Sequence, residues 1–512
     1  MSGSISQFFG PNYLLSLPVI LLALFAVGIL LIDLITPAEW KWTNAVTALA
    51  AALFTAAGVF KIQYTQASLE RAGRRLQWGF HQSVLVDHLA IYFFWLFVIG
   101  AALAILLSAR NVKVGARHYG LFYALLLISV VGMMCMASGF HVGLLFVGVE
   151  LMALPSYVFR GLLGNDSDSP KARWTRFVWG GLSSGLVACG LFLFCRFAGS
   201  TNLHAIAMAV ARQMAVHHDH PGSLVMVALI ATAVGIFSKL ASLLSPGSGG
   251  IVSAGEPIGM TTFLCVATPA ACWAMVLRIF LWGLYPLRVV YVPVLIGVAI
   301  AMMAGGTIFA LRQTNLKRLL AYSSITHVGI MLLGLVGLAW ADYPAPAFFD
   351  GFKGVLLYLL AYIFMTAGAF GSVISLQRPD ESGGEMEDIA GVGFRSPMLG
   401  VLMSIFLLAL AGIPPLAGFY GKYFIFRGLI EGRHYVLVAV GGMFIVPGFY
   451  YYGCIAKSMF NRKTTNDKAR EDKLAIGREF WAACFIAAAA TVMIGVYPQP
   501  FIQMMDWVLR LN

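Results

Sequence analysis

Residues 411–422 read Ala411-Gly-Ile-Pro-Pro-Leu-Ala-Gly-Phe-Tyr-Gly-Lys422, inside a mostly apolar run from Pro397 to Ile430. As a single helix that run would be about 50 Å long, well beyond the roughly 30 Å hydrocarbon core of a bilayer. Pro414 and Pro415 withhold backbone donors and obstruct the preceding turn, while Gly412 and Gly418 loosen it. A helix broken near its middle accommodates both facts. Broken backbone at membrane depth persists only where it is buried in protein or lines a wet cavity. The stretch therefore predicts a many-helix membrane protein with an interior site, and a lysine just past the break reads as functional.

The whole chain agrees with that start. Its 512 residues are 60% hydrophobic and 11% charged, with a mean hydropathy of +0.84. Soluble domains carry about 25% charged residues, so this chain lacks the material to cover a water-facing surface. The excess apolar content must face lipid. The formal charge of +12 does not point to nucleic acid, because the 34 Lys and Arg are scattered between apolar segments and follow topology instead. Seven cysteines sit in apolar stretches with no C-x-x-C pair, which supports neither a disulfide framework nor an iron–sulfur site. Met1 to Tyr13 contains no basic residue ahead of the first apolar run, so no cleavable signal peptide is expected.

About 20 apolar residues span a bilayer as a helix. That ruler yields fourteen spans: 13–33, 44–62, 86–108, 119–137, 140–159, 177–196, 223–245, 260–281, 290–311, 319–340, 354–376, 397–423, 435–456 and 480–503. The pieces 64–85 and 200–218 are too polar to cross and are expected outside the bilayer. Fourteen spans leave both termini on one side. With span-end residues counted in the adjacent loop, the opposite side holds 20 Lys and Arg against 12 on the terminal side. The positive-inside bias then places both termini outside, periplasmic for a bacterial inner membrane.

Three ionisable residues interrupt apolar runs. Glu150 lies mid-span in Gly143-Leu-Leu-Phe-Val-Gly-Val-Glu-Leu-Met-Ala-Leu-Pro155. A charge at the bilayer centre costs roughly 2.5–3.5 kcal/mol on insertion scales, a cost that no helix needs for its own sake; a proton-binding site explains it, and a carboxyl pinning helix packing is the plainer reading. Lys239 lies in Ala233-Val-Gly-Ile-Phe-Ser-Lys-Leu-Ala-Ser-Leu-Leu-Ser-Pro246, about 10 Å along the axis from Pro246, where a lysine can also snorkel. Lys422 is the third. Spans seven and twelve thus each carry a lysine near Gly and Pro, five spans apart. Interrupted helices in corresponding positions mark an inverted repeat, here spans 4–8 and 9–13, with helices 7 and 12 both broken. The resulting division is an N-terminal three-helix part (1–115), a first repeat (116–285), a second repeat (286–458), and a cytoplasmic loop with the last helix (459–512). His327, in Leu319-Leu-Ala-Tyr-Ser-Ser-Ile-Thr-His-Val-Gly329, adds a group that titrates near neutrality. Ser323, Ser324 and Thr326 beside it suit a water relay. His217-His-Asp-His220, without a second cluster, reads as solvated loop rather than a metal site. Gly247-Ser-Gly-Gly250 lacks the strand and third glycine of a dinucleotide fingerprint. The loops Asp380–Asp388 and Lys457–Arg478 read as solvated cytoplasmic loops.

Two of these segments, Asn315-Leu-Lys-Arg-Leu-Leu-Ala-Tyr-Ser-Ser-Ile-Thr-His-Val-Gly329 and Leu410-Ala-Gly-Ile-Pro-Pro-Leu-Ala-Gly-Phe-Tyr-Gly-Lys422, resemble the signatures of antiporter-like subunits in the membrane arm of respiratory complex I (NADH:quinone oxidoreductase), a family that includes Mrp-type cation/proton antiporter subunits. Val149-Glu-Leu-Met-Ala-Leu-Pro-Ser-Tyr157 and Gly181-Leu-Ser-Ser-Gly185 are most similar to its N-type members, and Glu387-Asp-Ile-Ala-Gly391 is a shorter match. The resemblance runs over roughly 80–510. It implies that Glu150 and Lys239 form a proton-handling pair, that Lys422 ends the half-channel of the second repeat, and that His327 and Lys317 belong to the polar axis. It also implies neighbouring membrane-arm and peripheral-arm subunits as partners, with NADH, flavin, iron–sulfur clusters and quinone held in those partners and no cofactor in this chain. The chain departs from the family at three places. The conserved-type stretch after the seventh-span lysine falls on Leu244 to Gly259 and keeps only Pro257; the eighth-span lysine position holds Pro269; the lysine at the start of span six falls on Thr175, with Arg176 beside it. All three lie in the first half-channel or its link to the second.

No motif here carries redox chemistry. Moving one charge against 100 mV takes about 2.3 kcal/mol, which must come from partners or an ion gradient. The leading expectation is a proton-translocating subunit of NADH:quinone oxidoreductase. A cation/proton antiporter subunit and a non-pumping structural subunit of the membrane arm are the alternatives.

Overall fold

The computed structural model describes residues 11–72, 78–80, 82–109, 119–163, 170–216, 221–244, 258–340, 345–376, 386, 389–461 and 477–509. His217–His220, Gly247–Gly250, residues 245–257 after the seventh span, and most of the 380–388 and 457–478 loops lie outside them.

Every expected span is a helix. The first six are α1 (Pro11–Ile35), α2 (Thr43–Arg71), α3 (His88–Ser108), α4 (Tyr119–Ser138), α5 (Val142–Leu163) and α6 (Pro170–Ala198). They are followed by α7 (Ser223–Leu244), α8 (Ile258–Leu277, continued by a π-helical turn to Gly283), α9 (Arg288–Leu311), α10 (Leu316–Trp340) and α11 (Pro346–Ser375). The twelfth span is two half-helices, α12a (Pro397–Ala411) and α12b (Ala417–Glu431), before α13 (Tyr435–Met459) and α14 (Arg478–Val496). Twelve of the helices are individually long and apolar enough to cross a membrane. α5, at 22 residues, and the two halves of the twelfth span complete the set.

Four details differ from the expectation. α2 does not stop near residue 62 but continues to Arg71, because the polar residues after Gln63 interrupt lipid contact without interrupting the helix. The last span ends at Val496, and Tyr497–Pro498 turns the chain into a separate amphipathic helix, Gln499–Val508. Residues 203–216, within the polar piece expected outside the bilayer, form a short helix, too short to cross. α7 is unbroken through Leu244, so any break in the seventh span falls on the residues that are not described.

The helices pair in a repeating order. α4 packs most extensively on α5 and α6 on α7; correspondingly, α9 packs on α10 and α11 on α12b. Five helices per unit is an odd number, so the second unit enters the bilayer from the opposite side and the repeat is inverted. Small residues let such pairs close up, as expected where lipid supplies no hydrophobic drive. At Gly132 of α4 an added Cβ would fall 2.6 Å from the Gly148 carbonyl of α5. α8, α10 and α11 form the interior: nearly all of the apolar stretch of α8 and α10, and all of that of α11, is buried. α1, α6 and α13 form the rim, with large apolar side chains such as Leu24, Phe192 and Tyr450 facing outward. Polar residues on the central three helices therefore sit where protein, not lipid, surrounds them.

Candidate functional site

The residues singled out by cost form two centres. In the first, Lys239 of α7 is almost fully buried and donates from Nζ to Glu150 Oε1 (3.2 Å), to Tyr157 Oη (2.7 Å) and to Ser184 Oγ. Glu150 and Tyr157 lie seven residues apart, two turns of one face of α5, and Ser184 comes from α6. Three helices thus converge on one ammonium. The Tyr157 ring also faces it, 5.3 Å from Nζ to the ring centre. A snorkelling lysine would turn its head toward the membrane surface; this one is held inward.

The second centre grows out of the broken helix. At the end of α12a, Gly412 takes the left-handed conformation (φ +92°), which glycine adopts without penalty. Its N–H donates to Ala409 O (3.0 Å) and that of Ile413 to Leu408 O (3.1 Å), the pairing of a Schellman cap. The last two carbonyls, Leu410 and Ala411, cannot be served by the next residues, since Pro414 and Pro415 have no N–H. Lys422 serves them instead, with Nζ 2.9 Å from Leu410 O and 2.7 Å from Ala411 O. The ammonium lies at the negative end of a half-helix, where a cation is favoured. Partial charge, not a carboxylate, is what holds it in the described contacts.

His327 of α10 lies beside this centre, buried, with each ring nitrogen on a tyrosine hydroxyl: Nδ1 to Tyr358 Oη of α11 (2.7 Å) and Nε2 to Tyr452 Oη of α13 (2.9 Å). In the neutral ring one nitrogen donates and the other accepts. A proton taken up on one side can therefore leave from the other.

Lys317 is placed apart from these groups. It stands in the first turn of α10, half-buried, with its N–H on Asn315 Oδ1 (3.1 Å); ten residues of helix, about 15 Å, separate it from His327. Thr175 and Arg176 belong to residues whose side chains are not described. Among the described residues no group of three or more His, Cys, Asp or Glu side chains could hold a metal ion.

One buried ion pair escaped sequence reasoning. Arg278, at the π-helical turn closing α8, is fully buried and bonds Asp87 twice, Nη1 to Oδ2 at 2.8 Å and Nη2 to Oδ1 at 2.5 Å, while its Nε donates to Ala137 O (2.7 Å). Asp87 also caps α3 by accepting from Ala90 N (2.9 Å). In the sequence Arg278 reads as an ordinary basic residue at a span end. The visible signal was Asp87, an N-cap residue type immediately before an apolar run.

The comparisons with known proteins bear on the same residues. Residues 140–446, which hold both centres, match the model of the NADH:quinone oxidoreductase/Mrp antiporter transmembrane family. "NADH-quinone oxidoreductase subunit N 1" of Koribacter versatilis is 44% identical over 501 residues, covering 98% of this chain and 96% of that protein. "NADH-quinone oxidoreductase subunit N 2" of Solibacter usitatus is 38% identical, covering 95% of each. A chain of respiratory complex I from Thermus thermophilus with bound aureothin shares the fold with a TM-score of 0.72 at 24% identity, covering 95% of this chain and 98% of that one.

Proposed function

The chain belongs to the NADH:quinone oxidoreductase/Mrp antiporter transmembrane family, and from that membership we propose that it is the N-type membrane-arm subunit of a respiratory NADH:quinone oxidoreductase, moving protons through its interior. The observation that carries the transport reading is Lys422, buried at a helix break with its ammonium on two main-chain carbonyls. A fixed structural charge at this depth is expected to have a full counter-charge; an ammonium held by partial charges is set to release and regain its proton.

The two centres give the transfer an electrostatic form. In the first, Lys239 Nζ and Glu150 Oε1 are held 3.2 Å apart, and a proton arriving at or leaving this pair changes the charge that the helices around it enclose. A change of charge there alters the field at the buried His327 and Lys422, where little water screens it. His327 passes a proton by exchanging which of its nitrogens carries it, between Tyr358 and Tyr452. Each proton moved against 100 mV takes about 2.3 kcal/mol. We assign that energy to quinone reduction in partner subunits, which would hold the NADH, flavin, iron–sulfur clusters and quinone sites. The translocase role of this chain and the periplasmic placement of both termini are parts of the same proposal.

The test measures proton-to-electron ratios in the complex reconstituted into vesicles. Lys422→Ala and Glu150→Ala are expected to lower the ratio; unchanged ratios in both would reduce the chain to a brace. Ion exchange driven by a pH gradient without NADH would favour the antiporter reading instead.

A further inference from the structure

Three oxygens surround Lys239 Nζ, and they do not play the same part. An ammonium has three N–H donors and no acceptor; the acceptors around this one are Glu150 Oε1, Tyr157 Oη and Ser184 Oγ. Once the lysine has passed a proton on, its neutral amine keeps two N–H groups and gains a lone pair. One of the three neighbours must then donate to that lone pair, or a buried nitrogen is left unmatched. A carboxylate has no proton to give. The Ser184 hydroxyl is turned to Gly180 O (3.2 Å) on its own helix. The Tyr157 hydroxyl accepts from Lys239 at 2.7 Å, and its own proton has no acceptor among the described residues. Tyr157 is thus the neighbour free to turn from acceptor to donor.

Its place on α5 suits that part. The turn that carries Glu150 is pinned to α4: Ser129 Oγ donates to Met152 O (2.8 Å), and a Cβ added at Gly132 would fall 2.6 Å from both Gly148 O and Met152 N. Pro155 follows within the helix and supplies no N–H to the carbonyl of Leu151. Tyr157 comes after this interruption, about 10 Å along the axis from Glu150, toward the end of α5 that the proposed orientation places at the cytoplasm. There it is half-buried beside Gly180 of α6, where an added Cβ would stand 3.6 Å from Oη, and the neighbouring Gly181 is exposed with nothing within 4 Å of its own added Cβ. Glycines, not bulky side chains, border the hydroxyl on that side. The titratable groups around it among the described residues are Glu150 on its own helix and Lys239 of α7, with Cys272 of α8 within electrostatic reach of Lys239.

We propose that Tyr157 is the proton donor of the first centre, its hydroxyl reloading the Lys239 amine from the cytoplasmic side. In that step the O–H bond of Tyr157 breaks as an N–H bond forms on Lys239 Nζ. A hydronium ion at the cytoplasmic end gives its proton to Oη and leaves as water, so the phenol ends as it began and the lysine ends as an ammonium. Glu150 stays the fixed acceptor at the other side of the ammonium. The inference rests on the proton-channel reading above and deepens it.

The test uses the assembled complex in vesicles and compares proton-to-electron ratios at matched NADH oxidation rates. Tyr157→Phe keeps the ring beside the ammonium and removes the hydroxyl; its ratio is expected to fall to that of Lys422→Ala. If Tyr157→Phe pumps like the parent while Lys422→Ala does not, the donor role is overturned and the channel stands. If Lys422→Ala also pumps like the parent, the channel reading falls and the donor role with it. A ring-fluorinated tyrosine placed at position 157 changes the shape little, keeps the hydroxyl and makes the phenol more acidic. A donor must be protonated to act, so the alkaline limit of pumping is expected to move to lower pH; a hydroxyl that only holds the ammonium in place gives the parent profile. An unshifted profile, or an equal shift when the same replacement is made at the rim residue Tyr450, would overturn the proposal even if Tyr157→Phe did not assemble.

Discussion

Gly412 carries two duties at one Cα. Its left-handed backbone closes α12a, and an added Cβ would fall 2.8 Å from Lys422 Nζ. Gly412→Ala therefore incurs about 1–2 kcal/mol for the left-handed conformation and displaces the ammonium from its carbonyls. The expected outcome is an assembled complex whose proton-to-electron ratio drops toward that of Lys422→Ala. Gly297→Ala is the control, since nothing lies within 4 Å of a Cβ there; an equal drop in both variants would dissociate the effect from the Lys422 contact. Glu150, Lys239 and Lys422 were legible from the chain because their cost in lipid is a local property. Their partners were not: the tyrosines on His327 lie 31 and 125 residues away, at distances no spacing rule reaches.

At the scale of elements, two kinds of ion pair hold helices together, and they differ in energy. Arg278, fully buried, and Asp87, mostly buried, join α8, α3 and the end of α4. Removing one partner of such a pair leaves a buried charge alone, at roughly 3–5 kcal/mol, so Arg278→Met is expected to lower the melting temperature of the purified complex markedly or to prevent its assembly. Lys353 of α11 pairs with Asp506 on the terminal amphipathic helix, but Asp506 is 50% exposed; Asp506→Asn is expected to change stability by no more than about 1 kcal/mol. Thermal unfolding of the two variants side by side checks the contrast, and equal effects would contradict it. The broken twelfth span was readable because two adjacent prolines in an overlong apolar run leave few options. The separate helix after α14 was not, because Gln499–Val508 is apolar enough on one face to pass for the end of a span.

For the whole molecule, exposure at mid-membrane is informative. The Glu150 side chain is 34% exposed while Lys239 is 2% exposed, and a carboxylate at that depth cannot face lipid without large cost. A neighbouring subunit is expected to cover it. A carbodiimide should modify Glu150 faster in the dissociated subunit than in the assembled arm; equal rates would place Glu150 away from any interface. Topology has its own check: single cysteines placed in the 1–10 and 380–385 segments should react with an impermeant thiol reagent from opposite sides, the first from the periplasm, and labelling of the first from the cytoplasm would reverse the orientation. Hydrophobicity alone determined that this chain spans a membrane, how many times, and which charges stand where charge is expensive, because transfer from water to lipid depends on the residues in a window and on little else. Which charges meet was decided only in three dimensions, because Lys239 and Glu150, 89 residues apart, touch only when their helices pack at one depth.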